Sequence, residues 1–148
     1  LTSHGAAALD AAARLMASDT PHVFVVTDEM GAQVGPLVVP GEGACGLCDG
    51  LSRVAKDPAW PLLALQLRAP SIAPPRGAPD VIASAAGLVC GALGAWRSGK
   101  ADPWLNTVWA LTEDAPPVWR RMVADSECGC GAAGAVGDEV AARRARFS

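Results

Sequence analysis

PHVFVVTDEMGAQVGPLVVPGEGACGLCDG, residues 21–50, holds two apolar runs and the first of two cysteine pairs. His22 to Thr27 is β-rich and almost wholly apolar, the pattern of a strand buried on both faces, as in a parallel sheet. Asp28 to Gly31 turns the chain. Val34 to Val39 reads as a second strand, in which Pro36 supplies no ladder donor and so predicts an edge or irregular position. The following loop, residues 40–50, carries Cys45-x-x-Cys48, with glycines at 43, 46 and 50 permitting a tight turn.

Working outward, Gly5 to Ser18 has high helix propensity, with Leu9, Ala12, Ala13 and Met16 at three- and four-residue spacing. Leu51 to Leu67 is helical in pattern and is split by Pro58 and Pro61 into two short pieces. Ala69 to Pro79 is a proline-rich connector. Val81 to Trp96 is a helix that Asp80 can cap; it is apolar nearly all round and so is expected to be central, with Cys90 a small core residue. Ala83, Gly87 and Gly91 form a small-residue stripe that suits close approach of a strand or second helix. Thr107 to Leu111 and Val118 to Val123 read as a hairpin. Residues 1–131 form the folded unit, and 132–148 a tail with the pattern of a frayed helix. The element order suggests the later part of an α/β sheet.

The chain has 148 residues, 51% of them apolar, enough for one domain with a real core. Its net charge is −3, and its only lysines are Lys56 and Lys100. Apart from Arg143, Arg144 and Arg146 there is no basic stripe, which argues against a nucleic-acid partner. The run Val81 to Trp96, interrupted by Ser84 and glycines, is read as too short for a membrane span. Five thiols in an aliphatic, alanine-rich chain fit a reducing cytoplasm better than a disulfide framework. The sequence starts at Leu1, so an upstream segment is expected.

Cys128-x-Cys130, flanked by Gly129 and Gly131, is a second compact thiol pair placed, like the first, after a predicted strand. Together Cys45, Cys48, Cys128 and Cys130 fit a closed four-sulfur zinc site, which would stabilise the fold and leave no open position for catalysis. A dithiol redox pair at CGLC, a four-cysteine iron–sulfur cluster and plain buried thiols are the other readings. The redox reading calls for a helix N-terminus, where this pattern shows a loop. His22 reads as a strand-end residue, Asp28 and Glu29 as a solvated turn, and the five tryptophans as core and rim. No nucleophile–base constellation can be assembled.

The runs Pro21–Val26 (PHVFVV), Val34–Gly41 (VGPLVVPG), Ala44–Cys48 (ACGLC), Asp57–Trp60 (DPAW) and Glu127–Cys130 (ECGC) resemble the second half of a ThiF/MoeB/E1-like domain. The likeness is to the ThiF-like proteins of azole-forming (TOMM and thiopeptide) pathways in particular, and it covers roughly residues 6 to 131. It implies an α/β fold: a partial Rossmann-like E1/ThiF sheet with a structural zinc site and a C-terminal β-hairpin. It carries over the zinc set Cys45, Cys48, Cys128 and Cys130, and no catalytic or cofactor-binding residue. The family's glycine-rich ATP loop and its aspartate lie upstream of the matched region and are not found in this chain. The function so implied is a zinc-stabilised module that binds a precursor (leader) peptide and presents it to a YcaO-type cyclodehydratase in ribosomal peptide natural-product biosynthesis. The alternative is the C-terminal part of an active adenylyltransferase that uses ATP and Mg²⁺ to activate a C-terminal carboxylate. A third reading is a zinc fold that acts in homo- or hetero-oligomer assembly.

Overall fold

A computed structural model describes residues 2–4, 6–67 and 78–131. The elements run β1 (Thr2–His4), α1 (Leu9–Ala17), β2 (His22–Asp28), β3 (Gly31–Val38), α2 (Gly46–Lys56), α3 (Trp60–Leu67), α4 (Pro79–Arg97), β4 (Thr107–Leu111) and β5 (Val118–Arg121). The strands form one sheet in the order β1-β2-β3-β4-β5. Only β1 and β2 are parallel; the remaining pairs are antiparallel. β2 is therefore not the doubly parallel strand its composition predicts, because the short turn after Asp28 folds β3 straight back onto it. β1 lies outside the elements read from the sequence: at three residues it is too short for a periodic signal.

Pro36 does not mark an edge. β3 is the middle strand, and its proline is accommodated by an interruption. The β2–β3 ladder passes from Val23↔Leu37 to Val25↔Val34, so Gly35 and Pro36 form a bulge, and the β3–β4 ladder ends at Val34. No ladder donor is needed where proline has none. Gly35 has φ +100°, and a Cβ there would overlap the Thr107 carbonyl, so only glycine allows β3 to pass β4 this closely.

Side chains alternate across the sheet. Phe24, Val38 and Val108 face α1, α2 and the cysteines in one core cluster. Val23, Val34 and Leu111 face α4 in another, and Leu37 and Leu105 pack on Ala92 near the far end of α4. The sheet is thus the middle of three layers. The α2–α3 break falls where the prolines predicted it, with Asp57–Ala59 between the helices.

α4 corrects three expectations. It is peripheral: only Val81, Ala85 and Ala92 are buried, while Ile82 is 57% exposed and Trp96 41% exposed. Cys90 is exposed. The small-residue stripe is not a helix or strand seam, since Gly87 faces open space and Gly91 meets the Trp104 ring. Overall apolarity misled because alanine and glycine raise it without defining a face. The helix starts at Pro79 with Ala78 as N-cap, which puts Asp80 inside the first turn. At 19 residues it is also long and apolar enough, by length and composition, to cross a membrane, contrary to the reading of that run as too short. α1 starts at Leu9, later than its propensity suggested. The expected helix over 131–148 falls, apart from Gly131, outside the described residues, as does most of the proline-rich connector.

The one-sided packing of α4 predicts that Val81→Ala loses about 1–3 kcal/mol in urea unfolding. Ile82→Ser, on the same turn but facing out, should stay within about 0.5 kcal/mol of the parent. A costly Ile82→Ser would restore the central-helix reading.

Candidate metal centre

The first cysteine pair is on a helix, not a loop. Cys45 is the extended N-cap residue of α2, and Cys48 lies in its first turn. Glycine at 46 makes this placement possible: a Cβ there would overlap the Phe24 ring, so the first turn of α2 sits directly on β2. The glycine-rich approach masked the helix start in the sequence. The helix N-terminus points partial positive charge at both sulfurs.

Asn106 fixes the approach. Its Oδ1 accepts the Ala44 N–H at 2.6 Å, and its carbonyl accepts the Met122 N–H at 2.7 Å. Its φ of +61° is one that asparagine tolerates better than most residues. Through its side chain and its backbone carbonyl, one residue thereby ties the segment entering Cys45 to the strand leaving toward Cys128. Beyond Met122 the chain turns tightly. The Glu127 N–H donates to Asp125 Oδ1 at 2.8 Å, the Cys128 N–H to the Asp125 carbonyl at 3.1 Å, and the Asp125 N–H to Cys48 Sγ at 3.5 Å.

The four sulfurs converge. Sγ–Sγ separations are 3.9 Å for Cys45–Cys48, 3.6 Å for Cys45–Cys128 and 3.6 Å for Cys48–Cys130, and all four sulfurs lie within 4.8 Å of one another. A disulfide needs about 2.05 Å. A tetrahedral ion with metal–sulfur bonds of about 2.3 Å sets its ligands about 3.8 Å apart. The spacing therefore fits four ligands around one ion. Multi-iron clusters interpose inorganic sulfide between their irons and the cysteines, which demands a wider set.

Burial pushes the Cys45 thiol up, against the backbone N–H groups of Cys48 and Leu47. It pushes Cys128 up strongly, against the N–H of Cys130. A redox or nucleophilic cysteine needs the opposite shift. CGLC does sit at a helix N-terminus, so that criterion no longer tells against a dithiol pair; the raised Cys45 thiol and the contacting second pair do. Four thiols crowded together at low exposure are stabilised as thiolates by a cation among them. α1, Pro40 and Gly41 border an opening of about 470 Å³ that reaches Cys45, Cys128 and Cys130, a route for an entering ion.

The other singled-out residues have ordinary roles. His22 opens β2, buried, with Nδ1 2.9 Å from the Thr20 carbonyl. Asp28 accepts the Met30 N–H at 2.8 Å and closes the β2–β3 turn. Trp60 lies under the Arg53 guanidinium, 4.7 Å from its centre. Sequence reasoning missed Asn106, whose signal is an asparagine just ahead of a strand. It also missed Asp49, which joins Arg53 (Nε to Oδ2, 2.7 Å) and Arg120 (Nη2 to Oδ1, 2.9 Å). The Asp49–Arg53 half was legible as an i,i+4 pair on a helix.

No protein-family profile matches this chain, and no curated protein does. Solved structures do. Over 88% of this chain the fold matches E. coli MccB, with a TM-score of 0.62 and 18% identity. It also matches the microcin C7 biosynthetic enzyme MccB in complex with N-formylated MccA over 82% of this chain (TM-score 0.59, 19% identity). The chain has a ThiF/E1-like fold. It spans 38% of the MccB chain, so the E1-like fold seen here corresponds to a portion of that enzyme. A heterocyclase in complex with substrate and cofactor matches over 84% of this chain and 19% of its own (TM-score 0.58, 13% identity). In this E1-like frame the helix-borne CGLC pair and the terminal pair after the hairpin are the parts that close the chain on itself.

Asn106→Ala leaves the Ala44 N–H without its partner, a loss of about 1–3 kcal/mol. A fall in Tm of roughly 5 °C is expected in thermal unfolding, together with easier metal release to a chelator. An unchanged Tm would mean that Asn106 does not organise the site.

Proposed function

We propose that this chain is a zinc-stapled, E1-like module that binds a precursor peptide and presents it for modification in ribosomal peptide biosynthesis. The carrying observation is the four-sulfur cluster at tetrahedral spacing inside a fold shared with a peptide-modifying enzyme. An all-thiolate donor set of this size selects zinc or a single iron over hard, oxygen-loving cations. Zinc suits a site whose four positions are all filled by protein, since nothing is left open for substrate.

The metal has a mechanical role. When bound, zinc supplies the energy that holds the segment 128–130 against the first turn of α2. The chain's own residues then act through position. Asn106 holds the approach to Cys45, Asp49 clamps β5 to α2 through Arg120, and the sheet face between them stays open. A fixed surface costs less ordering entropy when an extended peptide docks. The partner would be a YcaO-type cyclodehydratase acting in the cytoplasm on the presented peptide.

A second reading follows from the structural match to MccB solved with ATP. The chain would then be the C-terminal part of an adenylyltransferase that uses ATP and Mg²⁺ to activate a carboxylate. Neither the described residues nor the sequence supplies a glycine-rich nucleotide loop, so such activity would need residues from elsewhere.

Native mass spectrometry should find one zinc per chain, and absorbance should show no iron–thiolate colour. Cys45→Ser or Cys128→Ser should abolish the zinc and cost several kcal/mol of stability, a fall in Tm of roughly 10 °C or more. Retention of stoichiometric zinc by both variants would refute the site. For the function, a YcaO-type cyclodehydratase acting on a precursor peptide that this protein binds should yield azolines faster when the intact protein is present. ATP–pyrophosphate exchange by the complete gene product, dependent on a peptide carboxylate, would replace presentation with the adenylating reading.

A further inference from the structure

On the α2 side of the sheet lies a cleft of about 60 Å³ whose floor is apolar and whose rim is cationic. Phe24 and Val26 of β2, Val108 of β4, and Met122 just past β5 supply the floor. The rim holds Asp49, Arg53 and Arg120, with Trp60 beneath Arg53. One carboxylate is shared between two guanidiniums, so the rim carries a net charge of +1. Each arginine spends one nitrogen on Asp49 and retains other N–H donors. The arginine side chains are 33% and 45% exposed, within reach of a solvent-borne anion. This local excess stands out in a chain whose net charge is −3.

Geometry makes the pair more than a surface ion bridge. Asp49 sits one residue after Cys48, in the first turn of α2, which Gly46 seats on Phe24. Arg53 is held from two sides, by Asp49 at 2.7 Å and by the Trp60 face at 4.7 Å. Arg120 is fixed by its strand and by Asp49 at 2.9 Å. Two guanidiniums are thereby pre-set around one cleft mouth, at little further entropic cost when a carboxylate arrives. The space below the rim has room for one small aliphatic side chain.

We propose that this cleft binds an acidic peptide segment, taking a side-chain carboxylate on the N–H groups of Arg53 and Arg120 that Asp49 leaves free, and a neighbouring aliphatic side chain at the apolar cleft below. The inference rests on the peptide-presenting reading and names the site and the residue chemistry of that recognition. The anion is an internal Asp or Glu, which separates this site from one that would capture a chain terminus.

The test uses the full zinc-loaded protein and seven-residue peptides, acetylated and amidated so that no terminal charge remains. One peptide carries a single Glu next to Leu, a second has Gln for Glu, and a third has Ala for Leu. Isothermal titration should show the Glu–Leu peptide binding at least 10-fold tighter than either of the others, with affinity falling as salt rises. Arg53→Gln or Arg120→Gln should remove most of that preference, while Arg120→Lys should recover part of it. Melting curves and zinc content follow each variant, because Arg120 also joins β5 to α2. A variant that loses Tm yet keeps the Glu preference would make the pair a structural staple and overturn the proposal, as would equal binding of the Glu and Gln peptides or no binding of either. Full-length precursor that binds regardless of its acidic residues would overturn this site and leave the presenting role standing. A Glu–Leu peptide that binds while the precursor does not would overturn the presenting role and leave the site.

Discussion

Four sulfurs, three of them on buried cysteines, come from distant parts of the sequence to lie within 4.8 Å of one another, and the rest of the architecture is arranged around that meeting. Thiolates this close repel unless a cation sits among them, and thiols this buried resist ionising without one. Each supporting feature serves the approach of the two segments. Gly46 lets α2 lie on Phe24, Asn106 couples the incoming and outgoing chains, and Asp125 turns the chain into the second pair. The sheet itself is modest, with a three-residue strand at one edge and an exposed four-residue strand at the other. A metal tie at this position would compensate for a sheet with little to close it.

The two faces of the sheet are used differently. One carries the cysteine cluster, α1, α2 and the cationic cleft. The other, among the described residues, is covered mainly by α4, through Val81, Ala85 and Ala92, while Ile82 and Trp96 stay outside. Chemistry is concentrated on the first face. The match to MccB over 88% of this chain but 38% of that one fits a unit that carries the later portion of an E1-like sheet.

Much of this was legible in the sequence where a residue's chemistry demands a particular partner. Paired, glycine-flanked cysteines have few uses, and their convergence followed from donor type and spacing. The strands from His22 and Thr107, the proline-divided helices and the terminal hairpin were likewise readable. The misses share a cause: the deciding contact is long-range. For Pro36 the irregular position expected from the sequence is there, as a bulge; only the edge alternative fails, because β3 pairs on both sides with distant strands. α4 is peripheral because only three of its residues, Val81, Ala85 and Ala92, are fully buried against the sheet. Asn106 matters through a hydrogen bond spanning 62 positions, and the Arg120–Asp49 link spans 71.

The separation of the paired sulfurs also governs when the structure can close. Cys45 and Cys128 are 83 positions apart, Cys48 and Cys130 82. On a chain-entropy basis, a link across a loop of that size removes about 4.5 kcal/mol worth of freedom from the unfolded ensemble. During synthesis the CGLC pair emerges first, and its partner pair follows only after the hairpin. Closure is therefore a late event of high contact order. A metal bound there would lock the chain only once its last strands have been made, so its effect on folding would fall at the end of synthesis.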